Sequence, residues 1–226
     1  FGESVVAVDL DTGKLKWFYQ MVHHPLWDMD ASAAPMLMDI TVKGKNIKAV
    51  AQPSKQGWLY VLDRTTGKPV WPIPEKKVEA GNVPGEWYAP TQPFPTRPKA
   101  YSRNGVSNDD LIDFTPALRA RALEMVKGYK MGPVFSPPVL SQPGSLGILT
   151  LGGGNGGTNW PGGSFNPETH TAFLFACNSC FEPIGMVPPP PGLSDMRYIE
   201  GIAGTKIEMV GTGGAGSGAD TPLPKG

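Results

Sequence analysis

Two carboxylates, two imidazoles and an indole fall within eight residues, His23-His24-Pro25-Leu26-Trp27-Asp28-Met29-Asp30. Burying such groups without partners is costly. The segment is therefore either a polar turn around a packing Trp or a place where chemistry is done. A carboxylate held there can act as a general base or as a ligand for a hard cation such as Ca²⁺. A His-based zinc site is the weaker reading, because His23 and His24 are adjacent and the third histidine, His170, lies in another turn. A second candidate is Gln52-Pro53-Ser54-Lys55-Gln56-Gly57. Lys55 there is either a surface charge or, if it points toward Asp28, a hydrogen-bond donor to an anionic or carbonyl group. A third is the glycine-rich stretch 152–163, GGGNGGTNWPGG, which lacks the Gly-Lys-Ser/Thr ending of a phosphate loop. Its glycines permit close backbone approach to a ligand, and Trp160 is either a surface for a planar cofactor or another core plate.

Two motifs are set aside. Gly211-Thr212-Gly213-Gly214-Ala215-Gly216 fits a dinucleotide fingerprint, but Pro222 and Pro224 follow at once and leave no room for the helix that must carry it. Cys177 and Cys180 form a C-x-x-C followed by Phe181, whereas c-type haem attachment needs His there. With no other cysteine they cannot complete a structural zinc site. A short-loop disulfide and two thiols both stay open.

The elements that must position these residues are visible as an internal repeat. VAVDLDTGKLKW at 6–17 and YVLDRTTGKPVW at 60–71 share Asp9/Asp63, Thr12/Thr66, Gly13/Gly67, Lys14/Lys68 and Trp17/Trp71, all at an offset of 54. Each copy reads as a strand, a D-x-x-T-G turn and a second strand ending in Trp. Glycine supplies the positive φ of the turn, Asp and Thr hydrogen-bond its backbone, and Trp packs against a neighbouring unit. A weaker copy, SFNPETHTAFLFA, occupies 164–176. Such hairpins cannot bury their own faces, and a circular stack of small antiparallel sheets is a β-propeller. The expected fold is all-β, a partial propeller of about three blades at roughly 1–20, 33–72 and 135–180. A Pro-rich and helical insertion is expected at about 73–134, either covering a blade edge or forming a lid. Its helix starts at Thr115-Pro116 and stops at Gly128, with Leu118, Ala122 and Met125 on one face. Residues 1–210 form the partial propeller and 211–226 a Gly/Pro-rich linker or tail.

Composition agrees. Glycine and proline together number 54 of 226 residues, which disfavours a helical bundle, and 20 basic residues balance 20 acidic ones. Zero net charge argues against nucleic-acid binding. No apolar run approaches the roughly 20 residues of a membrane helix. The start at Phe1 and the tail suggest a piece of a longer protein.

HHPLWDMD (23–30), QPSKQGWLYVLDRTTG (52–67), APTQPF (89–94) and NWPGGSFNPET (159–169) together resemble the pyrroloquinoline quinone (PQQ)-dependent dehydrogenases, and most of all their membrane-type glucose and polyol branch. The resemblance implies an eight-bladed propeller with PQQ and Ca²⁺ on its axis, in a periplasmic enzyme that passes electrons to ubiquinone or a cytochrome. It assigns Asp28 as the catalytic base and a Ca²⁺ ligand, and Lys55 as the cation on the quinone oxygens. Asn178, Asn159 and Trp160 are placed near the quinone, and His23 or His24 at the substrate mouth. The substrate is a sugar, polyol or alcohol, and the remaining blades and Ca²⁺ ligands lie outside this chain. The competing reading is a non-catalytic propeller scaffold of the outer-membrane assembly type, which also carries D-x-x-T-G-K-x-x-W repeats. It has no reason to bring Asp28 and Lys55 together.

Overall fold

The computed structural model describes residues 1–151, 156–177 and 181–204. β1 (Ser4–Val8) and β2 (Leu15–Gln20) form an antiparallel hairpin. Its turn closes through Gly13 N–H to Asp9 O and Asp9 N–H to Lys14 O, both 2.8 Å. The Asp9 carboxylate accepts from the Thr12 hydroxyl at 2.9 Å and the Thr12 N–H at 3.1 Å.

β3 (Met36–Val42), β4 (Lys45–Pro53) and β5 (Leu59–Asp63) form an antiparallel sheet in that order. Lys43 and Gly44, at φ 51° and 75°, make the two-residue connection between β3 and β4, which suits the twist of an antiparallel pair. The second copy of the D-x-x-T-G turn follows β5. Gly67 N–H and Asp63 N–H again close it at 2.8 Å. Here the Asp63 carboxylate takes Thr65, not Thr66, as its side-chain partner.

The Trp positions depart from the sequence expectation. β2 continues past Trp17, while Trp71 lies outside any strand, after an isolated bridge between Leu62 and Pro69. Pro69 and Pro72 flank it, and proline has no N–H to extend a ladder. Trp17 does link the two copies. Its indole N–H donates to Arg64 O at 3.0 Å, and its ring lies over Gly67, where a Cβ would approach within 2.7–2.8 Å. Gly67→Ala is expected to cost roughly 2–4 kcal/mol, from a strained backbone plus overpacking. Gly13→Ala, at the matching position with nothing within 4 Å of its Cβ, is expected to cost only the strain, about 1–2 kcal/mol. Denaturant midpoints of the two variants check this, and equal losses would remove the ring contact from the account.

Beyond the second turn come β6 (Glu75–Lys77) and β7 (Thr91–Pro93), paired antiparallel, a single 3-10 turn at Asn108–Asp110 and α1 (Pro116–Met125). Thr115 caps α1 by accepting from Leu118 N–H at 3.2 Å, with Pro116 at its start. α1 ends at Met125, before Gly128, and buries none of its residues, so Leu118, Ala122 and Met125 do not form a core face. β8 (Tyr129–Lys130), β9 (Val139–Leu140), β10 (Gly147–Leu151), β13 (Phe181–Val187) and β14 (Ile199–Glu200) share one sheet. Between β10 and β13 in sequence, β11 (Gly163–Asn166) and β12 (Thr171–Leu174) form the hairpin expected at 164–176. Its Phe165 and Leu174 pack on Met36, Met38, Ala49, Ala51, Leu59 and Val61 of β3–β5.

The larger core joins Val5, Met21, Val22, Trp27, Met29, Trp58, Tyr60 and Phe135 to Val139, Ile148 and Ile184. Short sheets, antiparallel except where β8 and β9 join β10 and β13 in parallel, pack around shared aromatic plates and give the partial propeller. Among the described residues no helix is long and apolar enough to cross a membrane.

Candidate active site

The segment between β2 and β3 is tethered at both ends. Gln92 on β7, fully buried, holds His23 from both sides: its Oε1 accepts His23 N–H at 2.8 Å and its Nε2 donates to His23 O at 2.6 Å. Four residues on, Trp27 enters the core, donating its indole N–H to Ser136 O at 2.6 Å against the Phe135 ring. Met29 is buried beside it. Burial thus alternates along 27–30, and the two carboxylates take the outward places. The side chain of Asp28 is 72% exposed and that of Asp30 47%.

Lys55 arrives from the loop between β4 and β5. That loop is closed by Gly57 N–H to Ser54 O at 3.0 Å, with Gly57 at φ 73°. Ser54 Oγ donates to Trp58 O at 2.9 Å and accepts its N–H at 3.3 Å. Residues 156–158 lie directly on the loop: Gly157 N–H donates to Lys55 O at 2.6 Å and Thr158 N–H to Ser54 O at 3.1 Å. Only glycine allows this, since a Cβ on Gly156 would sit 2.3 Å from Lys55 Cγ and one on Gly157 2.8 Å from Gly57 Cα.

The Lys55 side chain, 5% exposed, ends among oxygens. Its Nζ donates to Asp28 O at 2.9 Å and to Asp30 Oδ1, and lies 3.5 Å from Asp28 Oδ2. The structure therefore brings Asp28 and Lys55 together. Burial pushes the Asp28 carboxyl above the ordinary aspartate range; the Lys55 charge opposes this and Asp30 adds to it. Glu3, whose Oε2 is buried without a hydrogen-bond partner, is raised by burial first, then by Asp30 and Asp28, while Lys55 opposes the shift. Glu200 is raised by burial, then by Glu182 and Asp28. Burial first, and repulsion among the carboxyls second, thus raise Asp28, Glu3 and Glu200, while the Lys55 charge opposes the shift at Asp28 and Glu3.

The other candidates are placed less uniformly. Asn159 Oδ1 accepts from Ser32 Oγ at 2.8 Å and from Trp160 N–H at 2.9 Å, tying the glycine-rich stretch to the chain just after Asp30. Trp160 is 80% exposed, so it is no core plate. Asn178 and Cys180 lie outside the described residues. His23 Nε2 meets Glu75 at 3.0 Å, and His24 Nε2 meets Glu86 at 2.9 Å with its ring edge-on to Trp87. Both imidazoles are thus engaged by the segment after the second turn.

Sequence reasoning counted Asp30 among the carboxylates of 23–30 without giving it a role of its own, and assigned none to Glu3 or Gln92. Only the D-x-D spacing of Asp28 and Asp30 carried a signal. Among the described residues no group of three or more His, Cys, Asp or Glu is arranged to hold a metal ion. An open depression of about 800 Å³ is lined by residues including Arg103, Asn104, Val106, Asp110 and Met131 and by none of the site residues.

The family model for the PQQ β-propeller domain of glucose, ethanol and alcohol dehydrogenases matches residues 1–190. The chain is 37% identical over 196 residues to the quinoprotein glucose dehydrogenase of Gluconobacter oxydans, covering 85% of this chain and 23% of that protein. It is 38% identical over 157 residues to the quinoprotein glucose dehydrogenase of Escherichia coli, covering 68% and 20%. It is 35% identical over 179 residues to the quinate/shikimate dehydrogenase (quinone) of Acinetobacter baylyi, covering 77% and 21%. The chain thus spans less than a quarter of the length of these relatives. With that match running through the repeats, the Asp28 segment and the Lys55 loop alike, the chain belongs to the PQQ-dependent glucose/ethanol/alcohol dehydrogenase family and is part of its β-propeller domain.

Proposed function

We propose that the protein containing this chain oxidises a hydroxyl of a sugar or polyol with PQQ as cofactor, and that Asp28 is the general base. One observation carries this: a mostly exposed carboxylate stands directly over a buried lysine, 3.5 Å from its ammonium. A scaffold would gain little from burying a lysine beneath carboxylates, because that costs desolvation.

The residues present suit one wall of a PQQ site. PQQ is a planar, anionic quinone. That wall would offer it the Lys55 ammonium, held in place by the glycine backbone at 156–157, and, on the strength of the resemblance, the exposed Trp160 ring. When bound, the cofactor supplies the acceptor for the hydride equivalent leaving the carbinol carbon. Asp28 takes the hydroxyl proton, which requires an approach of about 2.6–3.2 Å to the substrate oxygen. Lys55, itself buried, would hold positive charge where negative charge develops. Asn159, fixed by Ser32, and Asn178 are assigned to the cofactor side on the strength of the resemblance. Ca²⁺, as a Lewis acid, would take Asp28 as one ligand and its others from outside this chain. Ubiquinone or a cytochrome as electron acceptor and a periplasmic location belong to the same proposal.

The named relatives act on glucose and on quinate or shikimate, all polyhydroxylated rings, which favours a sugar or cyclic polyol over a simple alcohol. The test is reconstitution of the full-length protein with PQQ and Ca²⁺, followed by a dye-linked assay on sugars, polyols, cyclic hydroxy acids and primary alcohols. Turnover is expected on polyhydroxylated substrates. Turnover on none of the panel would overturn the proposal.

A further inference from the structure

We propose that Asp30 is a positioning residue for Lys55: its carboxylate anchors the ammonium, so that Asp28 is left free to work as the base. The inference rests on the function proposed above. A lysine ammonium has three donors on a flexible stem with considerable rotamer freedom. Here one donor goes to Asp28 O and one to Asp30 Oδ1, and the Asp28 carboxylate is the looser neighbour at 3.5 Å. The stem is confined from the other side by Gly156, while Gly157 packs on the Lys55 and Gly57 backbone. A carboxylate that also had to anchor the lysine would be drawn down onto its ammonium and away from the open side. Two carboxylates two residues apart, both turned outward by the burial of Trp27 and Met29, divide the two tasks. Asp30 holds the cation and Asp28 faces the open side. Without the Asp30 charge, the nearest remaining carboxylate for Lys55 is that of Asp28, so the ammonium would move onto the base and away from the cofactor.

The experiment uses the full-length protein and four forms: wild type, Asp30→Asn, Lys55→Ala and the double variant. PQQ affinity is read by quenching of tryptophan fluorescence on titrating the apo-protein, and kcat and KM are read after reconstitution. Asp30→Asn is nearly isosteric at a half-exposed position. It is expected to weaken PQQ binding and to lower kcat, each about ten- to a hundredfold, as the loss of a charged hydrogen bond implies, with KM little changed. The effects of Asp30→Asn and Lys55→Ala should not add, since one acts through the other.

Asp30→Glu keeps the charge and should recover most of the loss. If Asp30→Asn does not fold, Asp30→Glu carries the test: its smaller shift in PQQ affinity should vanish in the Lys55→Ala background. Wild-type PQQ affinity in Asp30→Asn, or full additivity with Lys55→Ala, overturns the assignment of Asp30 while leaving the proposed function intact. A wild-type protein that does not bind PQQ sinks both.

Discussion

Asp28→Asn in the full-length protein is expected to keep PQQ bound and to lose turnover by about a hundred- to ten-thousandfold, the usual share of a general base. The replacement is nearly isosteric and cannot take up a proton. It is also the right one for the backbone, because Asp28 sits at φ 54°, and Asn tolerates the left-handed region better than most residues. The contact from Lys55 Nζ to Asp28 O is to the main chain and survives the change. The defect should therefore appear in kcat at saturating substrate. PQQ content, measured by absorbance of the reconstituted protein, should stay near one equivalent. A variant that turns over like wild type would remove Asp28 from the role of base. A variant that loses PQQ would move Asp28 to the cofactor's binding site.

Gly156→Ala is expected to damage both the fold and the cofactor site. At φ +58° its Cβ would lie 2.3 Å from Lys55 Cγ, 2.4 Å from Cβ and 2.8 Å from Cα. The last of these is backbone and cannot swing aside. Relief requires residues 156–158 and the Lys55 loop to part, breaking the bonds from Gly157 N–H to Lys55 O and from Thr158 N–H to Ser54 O. Backbone strain and overpacking together should cost roughly 2–4 kcal/mol. PQQ affinity should fall at least tenfold, because the ammonium moves with its loop. A denaturant titration and a PQQ titration read the two effects separately. If stability falls and affinity does not, the cofactor does not depend on Lys55. If neither changes, the close approach is not maintained in solution.

The hairpins were legible in the sequence because their turn chemistry is local. Asp9, Thr12 and Gly13 satisfy one another within five residues, so the pattern needs no distant partner to be recognised. The start of α1 was legible for the same reason, through Thr115 and Pro116. The exposure of its apolar residues was not, because a helix face is decided by what packs on it, and here Leu118 stays 41% and Met125 59% exposed. The short strands β8 and β9 gave no signal, since two residues carry no period and both depend on distant strands for their bonds. Asp28 and Lys55 could be paired through the resemblance. The choice of Asp30 as the lysine's firmer partner could not, because it follows from which side chains Trp27 and Met29 turn outward when they enter the core.

Gln92 carries a practical consequence for engineering. Its single amide reads both the donor and the acceptor of one residue, His23, five positions before Asp28. The long excursion between the second repeat and the next sheet is thereby keyed to the working segment by one side chain. A transplanted excursion, however different in length or sequence, must present a primary amide of glutamine's reach at that point. A carboxylate there could still accept from the His23 N–H but would face its carbonyl with no hydrogen to give. Variety in this part of the molecule is thus permitted around one fixed latch, and a library built on it should leave residue 92 alone.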